Sequence, residues 1–152
     1  MSRTITRCDW VLKDSIYIKY HDTEWGVPIY DDDLLFEHLL LETFQAGLSW
    51  ITILNKRENF RKAFDNFNYH KIANYSKQKQ NNLTLNTGII RNKLKIQSAT
   101  TNAILFIKLQ KEYGSFSKYL WGFIKDHSIK KESRLFSKSP TRSTLSDLIS
   151  AD

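Results

Sequence analysis

A chain of 152 residues with one cysteine, two prolines and five glycines has few of the usual devices for bridging, kinking or reversing a backbone. Its lone thiol, Cys8, can form no internal disulfide, which suits a reducing compartment, and a cytoplasmic protein is expected. No apolar run reaches the roughly 18 residues that cross a bilayer, so no membrane partner is expected. The opening stretch, MSRTITRCDW, lacks the apolar centre of a secretory signal. Alternating apolar and polar positions are missing too, and neither a repeat nor a low-complexity tract interrupts the chain. The expectation is an all-α fold.

What is present is enough to build a core. Hydrophobic residues make up 41% of the chain, which excludes a disordered class, and the length suits one domain. The net charge is +7, with Lys and Arg gathered after residue 55. That balance fits either a nucleic-acid partner, whose phosphates release counterions on neutralisation, or a merely soluble basic protein.

The segment YDDDLLFEHLLLETFQA opens with aspartates, which favour a helix N-terminus, and then runs apolar on nearly all sides. Its polar positions are Glu37, His38, Glu42 and Gln45, the last three at i, i+4 and i+7. Gly47 breaks the pattern, and Ser49 is expected to cap the next helix, WITILNKRENFRKAF, turning Trp50 back towards Glu42. Two short helices and one long one follow between Tyr69 and Gly114, with a glycine turn at Asn86–Arg91. SFSKYLWGFIKD is amphipathic, the stretch 126 to 144 is loop-like, and STLSDLISAD begins a helix at a Ser143 cap.

Four features invite a chemical reading. Glu42 lies in a greasy run, where an unpaired charge is costly; it either pairs with His38, lies on a solvated stripe, or meets a cation from outside. The glycine turn can offer backbone N–H groups and a helix N-terminus to a phosphate, with Arg91, Lys93 and Lys95 adding charge, or can be ordinary packing. Trp10, Tyr17, Tyr20, Trp25 and Trp50 are either core or the walls of a pocket for a planar, electron-poor ligand such as a cationic nucleobase. Cys8 and His21 are metal-ligand types but only two of them, against the four of a structural zinc site; a buried thiol is the simpler reading.

Taken together, RCDWV, YIKYHDTEWGVP, LLLETFQAGLSWITILNKRENFRKAF and GIIRNKLKIQS resemble the bacterial 3-methyladenine DNA glycosylase I family, over about Arg7 to Asp152. The resemblance implies a helix-hairpin-helix DNA glycosylase fold: one helical domain over 1–152, a zinc-staple-like extension over 1–30, and the hairpin within 76–113. It also implies a monomeric, monofunctional N-glycosyl hydrolase of base excision repair that releases 3-methyladenine from double-stranded alkylated DNA. By matching motif, Glu42 would be the catalytic, base-recognising carboxylate. Tyr20, Trp50, Tyr17, Trp10 and Trp25 would border the flipped base. Gly88, Ile90, Arg91, Lys93 and Lys95 would contact DNA, and the QAGLS stretch would line the gap left by the flipped nucleotide.

The family pattern runs on past the position matching Asp152 and there supplies a second His and Cys to a structural zinc. Cys8 and His21 are therefore expected as two of four ligands, in a fold that is C-terminally incomplete. Two other functions stay open on the sequence: a non-catalytic DNA-binding remnant of the same family, inactivated by truncation, and a helical module whose basic face meets an acidic protein.

Overall fold

A helix that is apolar on nearly all sides has to lie inside a fold, and helix α2, Asp32–Gln45, does so, burying Leu35, Phe36, Leu40, Leu41 and Phe44. The computed structural model describes residues 7–12, 14–125 and 142–151. The other helices are α1, Ser15–Thr23; α3, Trp50–Ala63; α4, Tyr69–Ile72; α5, Lys77–Leu85; α6, Lys93–Tyr113; α7, Phe116–Lys125; and α8, Thr144–Ala151. Among the described residues there is no strand, and no helix is long and apolar enough to cross a membrane. Most of the stretch read as a loop, 126–141, lies outside the described residues, as does His127.

The chain divides into two compact units. One is Pro28–Lys118; the other joins Met1–Val27, most of the extension read over 1–30, to Tyr119–Asp152. The core described here belongs to the first unit. Helix α6 packs against α2, α4 and α5, with Ile96, Ala99, Ala103 and Phe106 buried at helical spacing. Ala99 and Ala103 are fully covered and let the helices approach closely, while Phe36 meets Phe106 edge-on at 5.0 Å and Phe44 meets Phe60 at 4.8 Å.

The stops and starts follow from local chemistry. The Asp31 carboxylate accepts the Leu34 N–H at 2.9 Å and caps α2. Gly47, at φ +79°, takes the left-handed conformation that lets the chain leave α2 within a four-residue linker. Ser49 holds the cap position of α3 as expected, but its hydroxyl meets that of Thr52 at 2.7 Å and bonds no backbone N–H. Ser143 does cap α8, accepting from Ser146 N–H at 3.1 Å.

After α3 the backbone makes a left-handed turn through Asp65, Asn66 and Phe67, with φ of 53°, 55° and 56°. Each such residue costs roughly 1–2 kcal/mol. Burial of Phe67, worth about 2 kcal/mol, offsets part of that. The turn is pinned by a hydrogen bond from the Tyr75 hydroxyl to Asp65, which holds the Asp65 carboxyl below the usual range.

Two charged groups on α2 are satisfied from far along the chain. Asp32 accepts the N–H groups of Phe116 at 3.0 Å and Ser117 at 2.8 Å, capping α7, and the Gln110 amide at 2.6 Å. Glu37, only 7% exposed, accepts from Arg57 at 2.5 Å and from Arg61 at 2.7 Å, both on α3 one turn apart. Removing one partner of such a buried set leaves a desolvated charge behind. Glu37→Ala should therefore lower stability by about 3 kcal/mol. Glu58→Ala, which removes the exposed partner of Arg61, should change it by less than about 0.5 kcal/mol. Urea unfolding of the two variants checks this, and equal losses would contradict the assignment.

Candidate functional site

The last turn of α2 carries Glu42, five residues and so about 140° round the helix from Glu37. The two carboxylates are treated differently. Glu37 is buried between arginines, whereas Glu42 keeps solvent access and has no ion-pair partner among the described residues. Burial by the surrounding protein pushes the Glu42 carboxyl above the ordinary glutamate range, and no neighbouring charge pulls it back. An acid in this position opposes folding slightly and is available to a cation from outside.

The linker after that turn is tightly built. Leu48 N–H returns to Gln45 O at 2.7 Å, the Gln45 amide donates to Leu48 O at 2.9 Å, and α3 starts at Trp50, which is half-buried against the core. Lys95, the third residue of α6, reaches the same place: its ammonium donates to Phe44 O at 2.9 Å and Ala46 O at 2.6 Å. The sequence places Lys95 among DNA-contacting cations, but in the structure its charge is turned inward onto the end of α2. Like charges at i and i+4 read alike in a sequence, so nothing there signals which one faces in.

Helices α5 and α6 are joined by seven residues, 86–92, where the sequence puts the glycine turn. Asn86 Oδ1 accepts the Gly88 N–H at 2.8 Å, and Lys56 of α3 donates to Thr87 O at 3.2 Å and Gly88 O at 3.4 Å. A Cβ at Gly88 would stand 3.1 Å from Asn86 Oδ1 and 3.2 Å from Asn59 Cβ, so a side chain there would press on the turn and on α3. Ile90 packs against the core; Arg91 and Lys93 are exposed, and the N–H groups of Ile90 and Arg91 have no acceptor among the described residues. Asn92 caps α6 through Lys95 N–H at 3.1 Å. Lys56, which ties the turn down, was not singled out in the sequence.

In the other unit, α1 places Tyr17 and His21 one turn apart on one face, with Tyr20 beside them. Trp10 meets Tyr17 edge-on at 5.2 Å, His21 at 5.7 Å and Trp25 at 5.7 Å, and His21 stacks on Trp25 at 5.2 Å. Three rings, Tyr17 and Trp25 from the expected base-bordering set and the candidate metal ligand His21, are thus gathered around Trp10, which is itself 41% exposed. Tyr20 is half-buried on the same helix.

His21 Nδ1 lies 3.1 Å from the Asp22 carboxylate, which Arg7 grips from the other side and holds below the usual carboxylate range. A carboxylate behind the ring orients a metal-ligating histidine in the usual way. Yet among the described residues no three His, Cys, Asp or Glu side chains gather to hold a metal. Cys8 and His21 alone do not fit a closed four-donor zinc site.

A sequence model of the family described as methyladenine glycosylase matches residues 10–152. DNA-3-methyladenine glycosylase 1 of Escherichia coli is 40% identical over 144 residues, which cover 95% of this chain and 77% of that protein. A crystal structure of 3-methyladenine DNA glycosylase I superposes with a TM-score of 0.88 at 42% identity, over 96% of this chain and 80% of that one. A structure of the Staphylococcus aureus 3-methyladenine DNA glycosylase I, concerned with 3-methyladenine recognition, gives 0.74 at 40% identity over 76% and 62%.

A carboxyl whose pKa is raised on folding lowers stability above that pKa and ceases to matter below the unfolded value. Glu42→Gln should thus melt at the same temperature as the parent or slightly higher at pH 7, with the difference closing as the pH is lowered. A clear fall in melting temperature at pH 7 would mean that Glu42 is a structural partner instead.

Proposed function

The chain belongs to the methyladenine glycosylase family, and from that premise we propose that it releases 3-methyladenine from alkylated double-stranded DNA, as a monomeric, monofunctional N-glycosyl hydrolase. The observation that carries the reading is Glu42: an acid on an otherwise apolar helix, lacking an ion-pair partner among the described residues and raised in pKa by burial. Groups whose local energetics are unfavourable without compensation are where function is expected.

Methylation at N3 leaves adenine positively charged and already a good leaving group. The enzyme then needs little acid catalysis; it needs to hold the cation out of the stack and stabilise the transition state. Ionised Glu42 accepts hydrogen bonds from the base and balances positive charge as the bond between C1′ and the base nitrogen breaks. The base leaves with the bonding electron pair and becomes neutral; water adds its oxygen to C1′ and gives up a proton, leaving an abasic sugar. Tyr20, Trp50, Tyr17, Trp10 and Trp25 are assigned to the aromatic faces that favour a cationic base over normal adenine. No lysine is assigned as a Schiff-base nucleophile, so the strand stays intact.

DNA is held, in this reading, by the α5–α6 turn as a helix-hairpin-helix: the backbone from Gly88 through Ile90 and Arg91 faces a phosphate, and Arg91 and Lys93 add charge. The Gln45–Ser49 linker is assigned to the gap left by the flipped nucleotide. Zinc, if it binds at Cys8 and His21, is structural, draws on two further donors, and takes no part in these steps.

The test is release of free 3-methyladenine from methylated duplex DNA under single-turnover conditions. The parent chain is expected to release it, with Glu42→Ala slower by about a hundredfold, the usual range for a lost electrostatic group. The parent rate should fall on acidification at a higher pH than an ordinary glutamate would give, since only the ionised form serves. Binding of DNA without release by a folded parent chain would sink the catalytic assignment. In a separate test, Arg91→Ala should weaken affinity for undamaged duplex and reduce its log–log salt slope by about one.

A further inference from the structure

The cation closest in kind to the DNA-facing pair Arg91 and Lys93 does something else. Lys95 follows the hairpin by three residues, and its ammonium lies between two carbonyls at the end of α2, Phe44 O at 2.9 Å and Ala46 O at 2.6 Å. Those carbonyls stand two and four positions after Glu42. The last carbonyls of a helix have no partner within it, and a cation there is favoured by both hydrogen bonding and the helix dipole. The end of α6 is marked by a left-handed Gly114, and that of α2 by a left-handed Gly47 with the Leu48 N–H returned to Gln45 O. At α2 the carbonyls on either side of Gln45 are taken in addition by a side chain from the helix that begins at the hairpin.

A second amine makes the reciprocal tie. Lys56, on the helix that follows the Gln45–Ser49 linker, donates to Thr87 O and Gly88 O of the hairpin. The helix after the linker is therefore joined to the hairpin, and the helix after the hairpin to the end of α2, each by a lysine directed onto backbone carbonyls. Lys95 thus ties the helix that leaves the hairpin to the α2 end, and the carboxylate of Glu42 hangs from that same turn.

We propose that Lys95 is a positioning residue: it fixes the last turn of α2, and with it Glu42, against the helix that starts at the DNA-facing hairpin, and it does not contact DNA. The proposal rests on the reading of Glu42 as the base-recognising group. Two of the three N–H donors of the Lys95 ammonium are committed to the end of α2.

Two variants, Lys95→Met and Lys95→Arg, distinguish the roles. Affinity for free 3-methyladenine is followed by tryptophan fluorescence, affinity for undamaged duplex DNA is followed across a range of salt, and folding is checked by circular dichroism. Loss of two charge-assisted bonds should weaken free-base binding in Lys95→Met by about tenfold, with a matching loss in single-turnover release. Affinity for undamaged duplex and its salt slope should stay at the parent values. Arginine satisfies a phosphate as well as lysine does but does not reproduce a compact ammonium between two carbonyls. Lys95→Arg should therefore still bind free base less tightly than the parent, which keeps the test decisive should the methionine variant fail to fold. Weaker DNA binding with a shallower salt slope and unchanged free-base affinity would make Lys95 a phosphate contact and overturn the proposal. So would parent values throughout in a folded variant. A parent chain that neither binds nor releases 3-methyladenine would instead take down the reading of Glu42 itself.

Discussion

The polar groups of α2 that face the interior, and the carbonyls at its end, need partners, and much of the Pro28–Lys118 unit is arranged to supply them. Asp32 at its start takes the N–H groups that open α7 and an amide from α6. Glu37 in its middle takes two arginines one turn apart on α3. The carbonyls at its end take Lys95 from the start of α6. Helices α3 and α6, and the first residues of α7, are thereby tied to α2 by its polar groups, and α3 and α6 by its apolar ones as well. Glu42 stands outside this scheme among the described residues, which is why it carries the functional reading.

In the proposed function, the same arrangement would relate the DNA-facing hairpin to the base-recognising carboxylate. The hairpin between α5 and α6 is held to α3 by Lys56 and by the close approach at Gly88, and the helix leaving it closes α2. Under the proposed function, the hairpin assigned to phosphates and the carboxylate assigned to the base are thus tied into one hydrogen-bonded frame. Preorganisation of that kind avoids reorganising dipoles during the reaction, the main source of electrostatic catalysis. The aromatic cluster around Trp10 is a separate construction, organised by ring contacts and by the Arg7–Asp22–His21 chain.

Much of this was legible beforehand, for reasons that can be named. With so few glycines and prolines, the apolar spacing of α2, α3 and α6 runs uninterrupted, and Gly47 and Gly114 mark where it ends. Asp31 and Ser143 act as caps because short polar side chains at those positions reach a backbone N–H. The orientation of Lys95 was not legible, since a lysine facing carbonyls and one facing water have the same spacing and charge. Nor was the difference between Glu37 and Glu42: on a helix apolar all round, no solvent face tells which acid will be enclosed. Arg57 and Arg61, at i and i+4 on α3, were the available signal for a buried acid opposite them. Ser49 shows the limit of cap rules, because a neighbouring hydroxyl at Thr52 competes for its oxygen.

The measurement that bears most directly on the account is a carbon NMR titration of the Glu42 side-chain carboxyl in the free protein. A midpoint above that of glutamate in an unstructured peptide is expected, because burial acts on this carboxylate without a compensating cation. A midpoint at or below the ordinary value would mean that a positive partner already holds Glu42, and the claim that it is kept for an incoming cationic base would fail.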